Sequence, residues 1–195
     1  MGKVLTIGRE YGSDGRAIAR EAAQALGVAF CDKERIRQIT KMAKLPEMVR
    51  QYDADHLEYE VDDYHIGRGY FTVETDDAFT YHLESAVMAQ VAAAEDAVIV
   101  GRCGDYVLRD KADSRHIFIY APFDYRVKLV SRRDAVSPED AARVVKQMDL
   151  RRSQYYTYYT DRSWNDLRHY HLSFDAAAFS RDNSIRILIQ AFAAI

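Results

Sequence analysis

Val4-Leu5-Thr6-Ile7-Gly8-Arg9-Glu10-Tyr11-Gly12-Ser13-Asp14-Gly15-Arg16 joins a short apolar, β-branched run to a glycine-spaced turn and then to a helix. From Gly15 onward Ile18, Ala22 and Leu26 recur every four positions while Arg16, Arg20 and Glu21 fall elsewhere, the pattern of a helix with one buried stripe. The loop therefore ends at a helix N-terminus, where backbone N–H groups lack partners and aligned peptide dipoles leave partial positive charge. An anion is the expected guest. Gly12 and Gly15 allow a phosphate to approach the backbone closely, and Arg16 adds a full charge with several donors. Gly12, Ser13, Asp14, Gly15 and Arg16 are thus the candidate phosphate loop.

A strict Walker A loop reads Gly, four residues, Gly, Lys and then Ser or Thr, and no window here supplies it. Read onto that pattern, Arg16 takes the place of the lysine and Ala17 that of the magnesium-binding hydroxyl, with Ser13 as a substitute ligand. Asp14 is a further departure, weakening anion binding unless it faces away. The competing reading is an ordinary strand-to-helix turn. Two features favour phosphate: the loop follows the first strand of an α/β pattern, and arginines recur at later strand ends.

The 195 residues suffice for one domain with a sizeable core, and the net charge of −3 argues against a general nucleic-acid or acidic-membrane binder. Cys31 and Cys103 are far apart and show no metal-type spacing, so neither a disulfide framework nor a metal site is expected and a reducing cytoplasm fits. No apolar run has the length of a membrane span, and the N-terminus lacks the layout of a secretory signal.

Apolar runs near 4–7, 28–31, 97–100, 115–120 and 169–174 alternate with helical patterns, the signature of a parallel five-stranded sheet with helices on both faces. Ligands of such sheets bind beyond the carboxyl ends of the strands. That rim holds Asp32 after the second run, Arg102 after the third and Asp105 three residues later. Asp32 and Asp105 have an alternative as helix caps; Arg102 can hold a phosphate through two parallel hydrogen bonds. Residues 46–80 read as a polar insertion in which Tyr52, Tyr59, Tyr64, Tyr70 and Phe71 stand among acids, and Thr75–Glu95 as a helix with Phe79, Leu83, Ala86, Val87, Gln90 and Val91 at helical spacing. After the fourth strand a helix turns Tyr125, Leu129 and Val130 inward and leaves Arg126, Arg132 and Arg133 to the rim or solvent. The next, capped by Ser137, carries Asp149, Arg151 and Arg152, with Asp149 placed to aim Arg152. Tyr155-Tyr156-Thr157-Tyr158-Tyr159 reads as packing, and Ser180 or Asp182 caps a final helix.

Thr6-Ile7-Gly8-Arg9-Glu10-Tyr11-Gly12-Ser13, Gly15-Arg16, the segment from Leu26-Gly27 to Asp32-Lys33, and Val100-Gly101-Arg102-Cys103, continued by Asp149, Arg152, Tyr155-Tyr156, Thr160, Trp164 and Asp166, resemble the cytidylate kinase-like family. The resemblance implies a P-loop NTPase-type α/β fold with a helical lid at about 132–160 and an acceptor-covering insertion at about 46–80. It implies phosphoryl transfer from ATP, with Mg2+ carried by the nucleotide, to CMP or a similar acceptor. Gly12 to Arg16 would hold ATP, Asp32, Arg102 and Asp105 the acceptor, and Arg16, Arg133, Arg151 and Arg152 would neutralise charge on the transferring group. The partners implied are nucleotides, with a second copy of the chain as an alternative use of the tyrosine-rich segment. Two rivals stand beside this reading: a nucleotide-binding protein that kept the fold after losing catalysis, and a kinase for another small acceptor.

Overall fold

The structure, a computed structural model, describes residues 2–42 and 78–195. Five strands, β1 (Val4–Arg9), β2 (Ala29–Cys31), β3 (Ala97–Val100), β4 (Ser114–Tyr120) and β5 (Leu172–Asp175), form one sheet in the order β2-β3-β1-β4-β5, with every pairing parallel. The first strand is central because its run is flanked by two others of the same character: Thr6 lies between Ile99 of β3 and His116 of β4. Val4, Leu5 and all of β3 are closed to solvent, as an uninterrupted apolar run requires when both faces of a sheet are covered.

One face packs on α1 (Gly15–Leu26) and the C-terminal helix α7 (Arg181–Ala193), where Leu5, Ile7, Val98, Val100, Ile117 and Ile119 meet Ile18, Leu188 and Phe192. Ala19, Ala22 and Ala23 keep α1 thin enough to lie close to its neighbours. The opposite face carries α2 (Lys33–Met42) and α3 (Ala78–Ala94), with Ile36, Val87, Met88 and Val91 on Val4 and Ile99. Beside them Tyr81, Cys103, Phe118, Tyr156, Trp164 and Tyr170 form an aromatic cluster next to the short helix α4 (Gly104–Val107). Cys31 and Cys103 are buried within these two clusters, where burial pushes both thiols up. Helices α5 (Phe123–Asp134) and α6 (Pro138–Thr160) pack on each other, Ser137 capping α6 by accepting from the Asp140 amide at 3.1 Å.

Some expected boundaries and faces move. Residues 167–169 form a 3-10 turn capped by Asp166, so the last strand starts at Leu172. Ser180, not Asp182, caps α7. On α3 Tyr81, Glu84 and Met88 are buried while Ala86 and Gln90 are exposed; this helix is apolar almost all round, and its periodicity marks no unique face. On α5 Tyr125 is exposed and Arg126 is buried, because carboxylates and carbonyls await the guanidinium. The tyrosines at 52, 59, 64 and 70, Phe71, and most of the 46–80 insertion lie outside the described residues.

Candidate phosphate-binding site

The loop between β1 and α1 is built on two left-handed residues, Gly12 at φ 80° and Asp14 at φ 63°. Gly12 has to be glycine: a Cβ there would lie 3.0 Å from the Arg126 carbonyl oxygen and from Val130. Gly15, already helical, does not have positive φ. The left-handed residue before the helix, where glycine is ordinarily required, is therefore Asp14. This shifts the phosphate-loop frame by one residue: the lysine position falls on Gly15, the hydroxyl position on Arg16 and the first-glycine position on Arg9.

Alternating left-handed residues turn successive N–H groups inward, an anion-binding nest. The amides of Gly12, Asp14 and Arg16 donate to no group among the described residues. Those of Ser13 and Gly15 make only long bonds of 3.4 Å, to the Glu10 carbonyl and to Ser13 Oγ. Ser13 Oγ itself is buried and donates to the Glu10 carbonyl at 2.9 Å, so it does not fit the role of a metal-binding hydroxyl. The Asp14 carboxylate is ion-paired with Arg181 of α7, and Arg181 also holds Glu21 at 2.5 Å.

Arg16 points along α1 to the end of β2, donating to Asp32 at 2.5 and 3.0 Å and to Glu34 at 2.9 Å. Its hydrogen bond to Asp32 raises its pKa. Asp32 does two jobs, since its other oxygen accepts from the Arg35 amide at 3.0 Å and caps α2. Burial works against the Asp32 carboxylate, yet the Arg35 amide and Arg16 hold its pKa below the usual range.

Other arginines gather over the loop. Arg152 of α6 donates to the Arg9 carbonyl at 2.9 Å and lies 5.3 Å over the Tyr11 ring; Arg133 of α5 lies 5.2 Å over the same ring and donates to the Tyr11 hydroxyl at 2.7 Å. Burial lowers the Arg152 pKa. Arg151 sits on an exposed position of α6. Arg126 is a structural pin: it donates to the Ala121 and Tyr11 carbonyls at 3.0 Å and pairs with Glu10 and Asp149. Asp149 accepts from the Tyr11 amide at 2.7 Å and from Arg126, so its hydrogen bonds fix the loop to the helical pair instead of aiming Arg152.

Across the cleft, Arg102 is nearly closed to solvent, paired with buried Glu84 and 4.7 Å over the Tyr155 ring. It stands in a run of three left-handed residues, Gly101, Arg102 and Cys103, with the two non-glycine positions at φ 57°. Such backbone costs roughly 1–3 kcal/mol per residue and concentrates where a side chain must be aimed. Asp105 is buried and accepts from the Tyr156 hydroxyl at 2.5 Å, its carboxyl pushed up by burial. The structure thus brings Arg102, Arg133 and Arg152 to one rim and holds Arg16 at its β2 end through Asp32, while Asp105 is enclosed beneath Tyr156.

Arg9 was not singled out by sequence as a site residue, although it ends the central strand at the very start of the loop. Its Nε is closed to solvent and donates to nothing among the described residues. A Cβ on Gly15 would lie 2.9 Å from Arg9 Cβ, and one on Gly101 would collide with Arg9 Nη1. The side chain therefore passes over the helix start and reaches the end of β3. Burial, then Arg152, Arg16 and Arg102, lower its pKa to about 9.

A central strand feeding an anion nest at a helix N-terminus, in an all-parallel sheet with arginines on the carboxyl rim, defines a P-loop-type fold. The chain belongs to the cytidylate kinase-like family, whose model matches residues 4–178. It is 26% identical over 185 residues to a cytidylate kinase of Pyrobaculum aerophilum, covering 94% of this chain and 89% of that protein. Among solved structures, an uncharacterized protein of Eubacterium ventriosum superposes with a TM-score of 0.77 at 23% identity over all of both chains. A shikimate kinase of Bacteroides thetaiotaomicron superposes with 0.54 at 12% identity over 98% of each, a likeness of fold alone.

Proposed function

We propose that the protein transfers a phosphoryl group from ATP to a nucleoside monophosphate, with CMP or a similar pyrimidine nucleotide as acceptor. The observation that carries this reading is the free-amide nest of Gly12, Asp14 and Arg16, with Arg133 of α5 and Arg152 of α6 over the adjoining Tyr11 ring and Arg102 just beyond β3. The family and its relative in Pyrobaculum aerophilum support the choice of acceptor.

In this reading the nest, from Gly12 to Arg16, holds the donor phosphates. Arg102, held by Glu84, grips the acceptor phosphate, and Asp32 fixes the acceptor side of the cleft through Arg16. An acceptor phosphate oxygen attacks the terminal phosphorus in line, that P–O bond forms as the bond to the departing ADP breaks, and a nucleoside diphosphate results. Arg133, Arg151 and Arg152 on the lid pair α5 and α6 neutralise charge on the transferring group as the pair closes. Mg2+ arrives with ATP as part of the substrate. Asp105, enclosed with Tyr156, shapes the acceptor side from below. In this reading the chain acts as one kinase-like domain, and the cytoplasm is the place that fits it.

Incubation with ATP–Mg and each nucleoside monophosphate in turn, following ADP formation, tests the proposal. Turnover with CMP or another pyrimidine monophosphate is expected. The missing lysine and hydroxyl of the loop favour one rival, a nucleotide-binding protein without catalysis; nucleotide binding with no turnover on any acceptor would establish it.

A further inference from the structure

Two arginines near the site come with carboxylates, Arg126 with Glu10 and Asp149 and Arg102 with Glu84. Arg9 does not. Its side chain is partly buried, its Nε is enclosed and orphaned, and among the described residues its guanidinium has no hydrogen bond and no ion pair. Its charged neighbours are mostly like-charged: Arg152, Arg16 and Arg102 oppose it, and only Asp32 favours it from a distance. A cation partly withdrawn from water without a counter-ion carries a desolvation cost, and an anion entering the site offsets it.

The direction of the side chain specifies where that anion goes. Arg9 Cβ occupies the space beside Gly15 that a side chain at the lysine position would use, and Nη1 reaches Gly101 at the end of β3. The guanidinium thus lies between the nest and Arg102. We propose that Arg9 is the cation of this phosphate loop, supplied from the first-glycine position in place of a lysine at Gly15, and that it binds the terminal phosphate of a polyphosphate chain. A Cβ at either Gly15 or Gly101 would meet Arg9. The inference rests on the phosphoryl-transfer reading only for the identity of the polyphosphate.

The test uses the purified chain, inorganic tripolyphosphate as the probe, and the variants Arg9→Met and Arg9→Lys. Calorimetry should show tripolyphosphate binding to the unaltered protein and a loss of about tenfold to a hundredfold in Arg9→Met, the range of one or two charge-assisted hydrogen bonds. CMP binding should be unchanged. Ligand-free Arg9→Met should melt at the same temperature as the parent or higher, while losing the tripolyphosphate-induced rise; a merely structural arginine would lower the ligand-free melting temperature. Arg9→Lys keeps the charge without the planar fork and should retain binding weakened less than in Arg9→Met. Unaltered tripolyphosphate affinity in Arg9→Met overturns the inference, as does a ligand-free melting temperature that falls in both variants. The two proposals fail separately: tripolyphosphate bound through Arg9 with no turnover of any monophosphate removes the kinase and keeps the loop cation, whereas turnover untouched by Arg9→Met does the reverse.

Discussion

Arg126 ties three parts of the chain together at the loop. It joins the loop at Tyr11, the end of β4 at Ala121, and α6 at Asp149, with Glu10 as a further counter-ion that also accepts from the Ala121 amide at 3.1 Å. Removing one member of a buried charge network leaves the others uncompensated and typically costs about 3–5 kcal/mol. Arg126→Met should therefore lower the unfolding free energy obtained from urea titration by an amount in that range. Arg133→Met, whose partners Tyr11 and Asp134 are partly exposed, should cost under about 1 kcal/mol and show its effect in turnover. The same residue shows a limit of pattern reading. Apolar periodicity selects Tyr125 for the interior of α5, yet a guanidinium with two carboxylates and two carbonyls in reach is the better occupant, and three of those partners, Glu10, Tyr11 and Asp149, are distant in sequence.

At the scale of elements, α7 tethers the phosphate loop. Arg181 neutralises Asp14 and braces Glu21 of α1 from outside the segment matched by the family model. Asp14 faces away from the nest because this arginine holds it there. Arg181→Ala frees a carboxylate at the mouth of an anion site and should weaken tripolyphosphate binding several-fold in calorimetry. The ion pairs are half-exposed, so stability should change by less than about 1 kcal/mol. Asp14→Gly removes both the carboxylate and the left-handed strain and should bind tripolyphosphate at least as tightly as the parent. The loop itself, between a strand and a helix start, was legible in the sequence. Its frame was not, since an aspartate at φ 63° gives no sign in one dimension that it stands where glycine belongs.

For the whole molecule, the alternation of runs was enough to read five parallel strands, because β1, β3 and the second half of β4 carry compact apolar runs and α6 and α7 start at serine caps. Polar ties across the sheet were beyond reach. His116 of β4 shares a 2.8 Å hydrogen bond between Nδ1 and Thr6 Oγ1 of β1, its amide donates to His171 Nδ1 at 2.9 Å, and its Nε2 is enclosed without a partner among the described residues. Burial, then His171 and Arg115, lower its pKa from 6.5 to about 4. The unfolded chain therefore takes up this proton first. Stability is fully present above about pH 6.5 and falls as the pH drops towards 4, by at most about 1.4 kcal/mol per unit. Urea unfolding at pH 7 and pH 5 should show a smaller loss in His116→Gln than in the parent, the difference between the two chains isolating this group from the carboxylates.

The central place of β1 also governs how the chain comes together during synthesis. Thr6 and His116 touch in the finished sheet but are 110 positions apart, and β3 on the other side is hardly nearer. At roughly 5–20 residues per second, the first strand made waits on the order of ten seconds for both flanking partners to leave the ribosome. Through that interval an apolar strand lacks both neighbours, a state prone to aggregation, so slower translation before residue 120 should lower the soluble yield.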